Sequence, residues 1–220
     1  WTTSWGVSWR LIGTMILTHG DNKGLIIPPR IAPIQVVIVP ILYKEEDSEN
    51  ILKETRHLAS TLEKCGIRTY TDDRTQYTPG WKYNEWEMKG VPLRVEIGPR
   101  DVKSKQVTVV RRDTGEKSTI PRSSAEDKME KLLDEIQESM FQRAKKSMDQ
   151  LTSKAEDMES FNRTLEEKGG FIKAFLCDDV ICEDQIKQET GATVRLVPFQ
   201  RKETGKCVHC GTDGSQMVYF

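Results

Sequence analysis

The chain has 220 residues, with 33 Lys and Arg against 34 Asp and Glu and a formal net charge of −1, so its length predicts one large domain or two small ones with room for a core that needs no staples. Hydrophobic residues make up 36% and charged residues 30%, and the 5 Trp, 5 Tyr and 6 Phe exclude a disordered tail. Five cysteines are too few and too unevenly placed for a secreted disulfide scaffold, and neither a signal peptide nor an apolar run of membrane length is present, so a reducing, cytoplasmic setting and no membrane partner are expected. The near-zero charge argues weakly against a nucleic-acid binder, but a total over the chain cannot see local basic patches. The opening Trp1-Thr2-Thr3-Ser4-Trp5, without Met, and the apolar Met217-Val218-Tyr219-Phe220 read like a piece of a longer protein.

In chain order, an apolar run over 11–17 leads to the turn-forming Gly20-Asp21-Asn22-Lys23-Gly24 and to Leu25-Ile26-Ile27, halted by Pro28-Pro29; two strands or a helix and a strand fit equally well. The continuous β-branched run Ile34-Gln35-Val36-Val37-Ile38-Val39-Pro40 predicts a strand covered on both faces of a parallel or mixed sheet. Over 47–65, Ile51, Leu52, Leu58, Ala59 and Leu62 recur at helical spacing before a Gly66 stop, and Cys65 is expected as a core thiol. Residues 67–70 and the alternating Val91, Leu93, Val95 and Ile97 predict strands, the second half-buried. Between them Thr78-Pro79-Gly80-Trp81 is a turn leading to a short helix with Tyr83 and Trp86. Asp113-Thr114-Gly115 joins 106–110 to 117–120 as a hairpin. The order strand, helix, strand, short helix, strand, hairpin predicts an α/β domain of roughly 100 residues. A long helix follows, with Ser124 and Asp127 in capping-box spacing and a stripe of Met129, Leu132, Leu133, Ile136, Met140, Ala144 and Met148; at ~1.5 Å per residue it spans about 40 Å. A shorter helix is expected over 160–168, ended by Gly169-Gly170, then short apolar runs at 171–176 and 193–199.

Four cysteines fall in that last segment, as Cys177-x4-Cys182 and Cys207-x2-Cys210. Two short-spaced pairs let two tight turns each supply half of a tetrahedral thiolate shell, which predicts structural zinc; unrelated buried thiols or two disulfides are the alternatives. Four thiolates leave no open position for catalysis, and His209, inside the second pair, is a possible substitute ligand. Such a site would hold together a module too small for a large core of its own.

Charge is segregated. Between Arg94 and Arg122 eight bases face four acids, a local +4, and 123–170 carries eight bases and twelve acids, a compensating −4. Basic groups beside Trp81, Tyr83 and Trp86 suit single-stranded or loop RNA, whose bases stack while cations hold phosphates; a solvated hairpin face is the alternative.

The motifs, in order, resemble a known family. Ser4-Trp5-Gly6-Val7-Ser8-Trp9-Arg10-Leu11-Ile12-Gly13, with the stretch from His19 through Gly24 to Arg30, resembles motif 3 and the end of the catalytic domain of class II prolyl-tRNA synthetases. Tyr77-Thr78-Pro79-Gly80-Trp81-Lys82-Tyr83 through Lys89-Gly90-Val91-Pro92-Leu93-Arg94-Val95-Glu96-Ile97-Gly98-Pro99-Arg100-Asp101 resembles the anticodon-binding domain of the archaeal/eukaryotic type, and the Cys-rich end is similar to that type's zinc-binding extension. The resemblance implies an α/β fold class in three parts: 1–32 as the tail end of the catalytic domain, 33–135 as a mixed-sheet α/β anticodon-binding domain, and 136–220 as a helical linker with an α+β zinc-binding module. It also implies a ligase that activates proline with ATP and Mg²⁺ to prolyl-adenylate and transfers it to proline tRNA. Arg10 would be the catalytic motif 3 arginine, stacking on adenine and balancing phosphate charge. Ser8 would join it in ATP binding, and Trp5 and Gly6 would line the proline pocket. Trp9 stands where a smaller residue is usual. Glu96 would read a guanine edge of the anticodon, with Lys89, Arg94, Arg100 and Arg111 as base or phosphate partners. Motifs 1 and 2 would precede Trp1, so the chain by itself should not activate proline, and a homodimer would form through that upstream portion. A non-catalytic tRNA-binding or regulatory module is the second reading, and a zinc-held protein-interaction domain a third.

Overall fold

A computed structural model describes residues 2–42, 45–199, 203–213 and 215–220. The chain divides into two compact units, Trp1–Ala144 and Lys145–Phe220.

The first unit opens with α1 (Arg10–His19), which resolves the ambiguous first run in favour of a helix, although none of its residues is buried. Its sheet has the order β2-β1-β3-β4-β5, built from β1 (Val36–Pro40), β2 (Thr69–Thr71), β3 (Leu93–Ile97), β4 (Gln106–Arg111) and β5 (Lys117–Pro121). β1 runs parallel to both β2 and β3, and the β4–β5 hairpin is added antiparallel on the far side of β3. All five residues of β1 are buried, as a β-branched run with a strand on either side requires.

Side-chain alternation sorts the sheet into two faces. On one, Val36, Ile38, Leu93, Val95, Ile97, Val107, Val109 and Ile120 pack against α2 (Glu45–Lys64) and α5 (Ala125–Gln150) in the main core. Each fully buried Ile or Leu there contributes about 1.5–3 kcal/mol. On the other, α3 (Pro79–Met88) lays Trp86 over Val37, Val39 and Val91. The short α4 (Pro99–Ser104), which the sequence did not signal, follows β3.

Two expectations are corrected in this unit. Cys65 is exposed: the buried stripe of α2 runs Ile51, Thr55, Leu58, Leu62, and the helix ends at Lys64, before position 65 can turn inward. The long helix is entered through a 3-10 turn, Arg122–Ser124, in which the Ser124 hydroxyl donates to the Pro121 carbonyl at 3.4 Å, in place of the expected capping box.

The second unit carries a sheet of order β6-β7-β9-β8: β6 (Thr152–Lys154), β7 (Phe171–Leu176), β8 (Thr204–Gly205) and β9 (Ser215–Tyr219). α6 (Met158–Glu167), capped by Asp157 Oδ1 accepting from Ser160 N at 2.8 Å, joins the parallel pair β6 and β7. α7 (Val180–Thr190) and β9 were not foreseen as elements. Phe161 meets Phe220 edge-on at 5.2 Å in a core that also holds Ile172, Leu176, Ile186 and Val218.

Candidate functional site

The face of the first sheet that carries α3 concentrates the basic and aromatic groups. Arg94 and Glu96, two apart on β3, project to this side with Val37 and Val39, and β5 adds Lys117. Glu96 is buried, 4% exposed, and both its oxygens are taken: Oε1 accepts from Arg94 Nε and Nη2 at 3.2 and 3.1 Å, and Oε2 accepts from Lys117 Nζ at 2.7 Å. The alternation that predicted a half-buried β3 therefore misjudges this face, whose charged residues bury one another. Arg94 also lies over the Tyr83 ring, 4.3 Å from its centroid.

Beside this pair is a pocket of about 220 Å³ lined by Lys23, Trp86, Glu87, Arg94, Arg111 and Arg112. Arg111 is held by Asp113 through Nε and Nη2 at 3.0 and 2.9 Å, and this hydrogen-bonded partner raises its pKa further. Of the five anticodon candidates, Arg94 and Arg111 line the pocket and Glu96 anchors Arg94. Lys89 pairs with Glu85 at 2.7 Å and covers the Trp86 ring at 4.6 Å. Arg100, on α4, is exposed and makes no ion pair among the described residues.

A second cluster supports α3. Asp72 is fully buried; its carboxylate accepts from Arg74 Nε and Nη2, both at 2.8 Å, and from Trp86 Nε1 at 2.8 Å. The buried Lys82 donates to the Asp72 carbonyl at 3.0 Å. Burial alone pushes the Asp72 carboxyl up, but the hydrogen bonds from Arg74 and Trp86 and the charges of Lys82 and Arg74 outweigh it and hold the group below its ordinary value. Arg74 reaches on to Glu85 and lies 4.9 and 5.5 Å from the ring centroids of Tyr77 and Trp81. Those rings stack at 3.9 Å with planes 10° apart and are partly exposed, a platform of the kind on which unpaired bases stack. The sequence reading gave no site role to Arg74, Tyr77, Lys23 or Glu87, although the last three lie in the motifs that carry the resemblance. The aromatic spacing Tyr77-x3-Trp81 across the start of a helix, one ring just before the N-cap Thr78 and the other in the first turn, is the signal that was available.

Trp5, Gly6, Ser8 and Arg10 are all exposed, Trp5 at 96%; Arg10 is the first residue of α1, and among the described residues no contact brings these four positions together. The segment after α1 is nevertheless fixed to the sheet unit. Leu25 N and Ile27 N donate to Met88 O and Gly90 O at 2.9 and 3.2 Å, and a Cβ at Gly90, whose φ is +75°, would lie 2.6 Å from Leu25 atoms, so only glycine permits this approach.

In the second unit the sulfurs of Cys177, Cys182, Cys207 and Cys210 all lie within 4.8 Å of one another, with Cys177 and Cys210 at 3.8 Å. A tetrahedral thiolate shell with ~2.3 Å bonds has sulfur separations of about 3.8 Å, so the donor set fits such an ion. The pairs differ in kind: Cys177 follows β7 and Cys182 lies on α7, whereas Cys207 and Cys210 flank a tight turn. Only the second pair matches the two-turn expectation. The Thr212 hydroxyl (3.1 Å) and backbone amide bring the Cys210 thiol down to about 6, while burial pushes Cys177 and Cys182 up. His209 lies within the turn, with Nε2 3.9 Å from Glu189.

Residues 35–132 match the family model for an anticodon-binding domain, and residues 158–220 match that for the prolyl-tRNA synthetase C-terminal region. The chain is 50% identical over 98% of its length to proline-tRNA ligase 2 of Clostridioides difficile. The chain belongs to the prolyl-tRNA synthetase family, as a C-terminal region. It is also 47% identical to a proline-tRNA ligase of Natranaerobius thermophilus and 43% identical to one of Cenarchaeum symbiosum, in each case over 100% of its length. It spans 44%, 46% and 46% of these three proteins, respectively. Among the described residues, no helix is long and apolar enough to cross a membrane.

Proposed function

We propose that this chain is the anticodon-reading part of a proline-tRNA ligase, one that activates proline with ATP and Mg²⁺ and transfers it to proline tRNA in the cytoplasm. The observation that carries the reading is that the basic, aromatic-lined sheet face and, apart from Lys23, the lining of its pocket beside Arg94 fall within the segment matched by the anticodon-binding model. Arg94 and Arg111 line a space of nucleobase size, with Lys89 and Arg100 as outlying cations for phosphates. Glu96 acts by setting Arg94 and Lys117, so its effect on base reading passes through the two cations it holds.

Residues 1–32 belong, in this reading, to the end of a catalytic domain: Arg10 and Ser8 contact ATP, Trp5 and Gly6 line the proline pocket, and a homodimer forms through the upstream catalytic portion. Residues 33–135 and 136–220 form the anticodon-binding and terminal domains. Zinc held by Cys177, Cys182, Cys207 and Cys210 would cross-link β7, α7 and the 207–210 turn, a structural role supported by the all-thiol donor set and its spacing.

The test is binding of the 220-residue chain to proline tRNA across a salt series. Affinity should fall steeply with salt and should drop when the anticodon guanines are replaced. Equal affinity for both tRNAs would sink the anticodon assignment. Pyrophosphate exchange on supplying the upstream polypeptide would separate a ligase part from a free-standing regulatory module.

A further inference from the structure

The four cysteines of the second unit are not equally accessible. Cys182 and Cys207 are buried, Cys177 is half-buried and Cys210 is exposed. The two accessible ones are also a close pair, with their sulfurs at 3.8 Å. Neither belongs to a helix or strand: Cys177 follows the last residue of β7, and Cys210 lies in the turn before Gly211. Cys182, by contrast, is on α7, and Cys207 is tied at its amide to Thr212 O and at its carbonyl to Gly211 N, both at 2.9 Å. A sulfur–sulfur bond is about 2.05 Å long, so the accessible pair has a short distance to close and lies outside regular structure.

A cleft of about 400 Å³ opens beside this pair. Cys177 lines it, and so does Thr212, whose hydroxyl is 3.1 Å from Cys210 Sγ. Asp178, Glu203 and Asp213 line it as well, and among the described residues no base does. A small uncharged reagent can therefore reach the two sulfurs, whereas an anion is repelled.

We propose that Cys177 and Cys210 are a peroxide-oxidised pair whose disulfide releases zinc from this unit. The inference rests on the zinc reading of the cluster and adds a regulation to it. The Cys210 thiolate attacks hydrogen peroxide: an S–O bond forms, the O–O bond breaks and hydroxide leaves, giving a sulfenic acid. The Cys177 thiolate then attacks that sulfur; the S–S bond forms, the S–O bond breaks and a second hydroxide leaves. Two electrons pass from the sulfurs to the peroxide. Cys182 and Cys207 remain, two donors where a structural zinc shell needs four. The cross-link between β7, α7 and the 207–210 turn is lost with the ion. Glutathione disulfide, which would have to enter the acidic cleft as an anion, is a poor oxidant for this pair.

The experiment first measures the zinc content of the reduced 220-residue chain. Hydrogen peroxide or glutathione disulfide is then added, with release followed by a chromophoric zinc chelator and thiol pairing by mass spectrometry after alkylation. Peroxide should release the zinc and form one disulfide, Cys177–Cys210, with Cys182 and Cys207 still free to alkylate; glutathione disulfide should act at least tenfold more slowly. Cys210→His keeps a zinc donor but cannot form the disulfide, and should slow release at least tenfold, whereas Cys207→His should not. The disulfide map of the unaltered chain keeps the test decisive if Cys210→His fails to fold. Zinc retained under peroxide, a first disulfide through Cys182 or Cys207, or equal rates with the two oxidants would each overturn the proposal. A reduced chain that takes up no zinc would refute the zinc reading and the proposal with it, a result read before any oxidant is added.

Discussion

Arg112 grips Asp21 through both terminal nitrogens, at 2.8 and 2.7 Å, across 91 positions of sequence. Its Nε donates to Glu87 O at 2.7 Å, and the side chain is almost wholly buried. The hydrogen bond from Arg112, more than any other cause, holds the Asp21 carboxyl far below its ordinary value. Arg112→Leu should therefore loosen the turn after α1 at a cost of about 2 kcal/mol, the usual range for hydrogen bonds to charged groups. Hydrogen exchange will read it: Leu25 and Ile27 amides should speed up far more than those of β1. Uniform acceleration would mean that Arg112 stabilises the whole unit.

Asp72 is the ionic centre beneath α3. Asp72→Ala strands Lys82 and Arg74 and should destabilise the first unit by about 3–5 kcal/mol in urea unfolding, the range for breaking one side of a buried pair. Its lowered pKa gives the sign of the pH effect: the native carboxylate binds its proton less readily than the unfolded one. The contribution is full above the ordinary value of 3.8 and is lost as pH falls below it. Urea midpoints of wild type should decline through that window, and Asp72→Asn should flatten the decline; an unchanged slope refutes the assignment.

Glu96→Ala releases Arg94 and Lys117 together. Affinity for proline tRNA should fall about tenfold or more, in line with ~1–3 kcal/mol for a paired base contact. Binding to a tRNA with a substituted anticodon should change little. Equal losses would make Glu96 a general electrostatic support.

With the proposed zinc bound to the cysteine cluster, stripping it should unfold 145–220 while 2–144 keeps its cooperative transition, because the cluster joins only elements of the second unit. Calorimetry before and after chelation reads this as the loss of one of two transitions. Cys207→Ser should reproduce it without chelator.

Gly170→Ala tests a backbone constraint. Gly170 has φ +80°, and a Cβ there would lie 2.2 Å from Leu151 O, a clash with backbone that no rotamer relieves. A cost of at least ~1–3 kcal/mol is expected, read as a lowered midpoint of the second unit; Gly169→Ala, with no atom within 4 Å of its Cβ, should cost less.

β1, α2 and the β4–β5 hairpin were legible because their patterns are local: a β-branched run, a helical stripe, an Asp-Thr-Gly turn. α7 was not, because only Cys182 and Ile186 face inward while Val180 and Ile181 are exposed, so no amphipathic stripe advertises it. α4 is shorter than two helical turns, too brief for any period to show. At the interface, residue type was readable and burial was not. Glu96 sits in an alternating segment that implies a solvent-facing carboxylate, and only the register of β3 against β4, and of β4 against β5, brings Lys117 to it. The cysteine set was readable from spacing, while the union of a strand end, a helix and a turn is a tertiary fact.

In the second sheet β9 lies between β7 and β8, with β7 formed some forty positions earlier. A nascent chain therefore carries β7 with an open edge until 215–219 has been synthesised and has cleared the ribosome. Cys177 and Cys182 emerge well before Cys207 and Cys210. Assembly of this unit thus waits on the synthesis of 215–219, and a stall between the two cysteine pairs would leave half a thiol set and an unpaired strand exposed together.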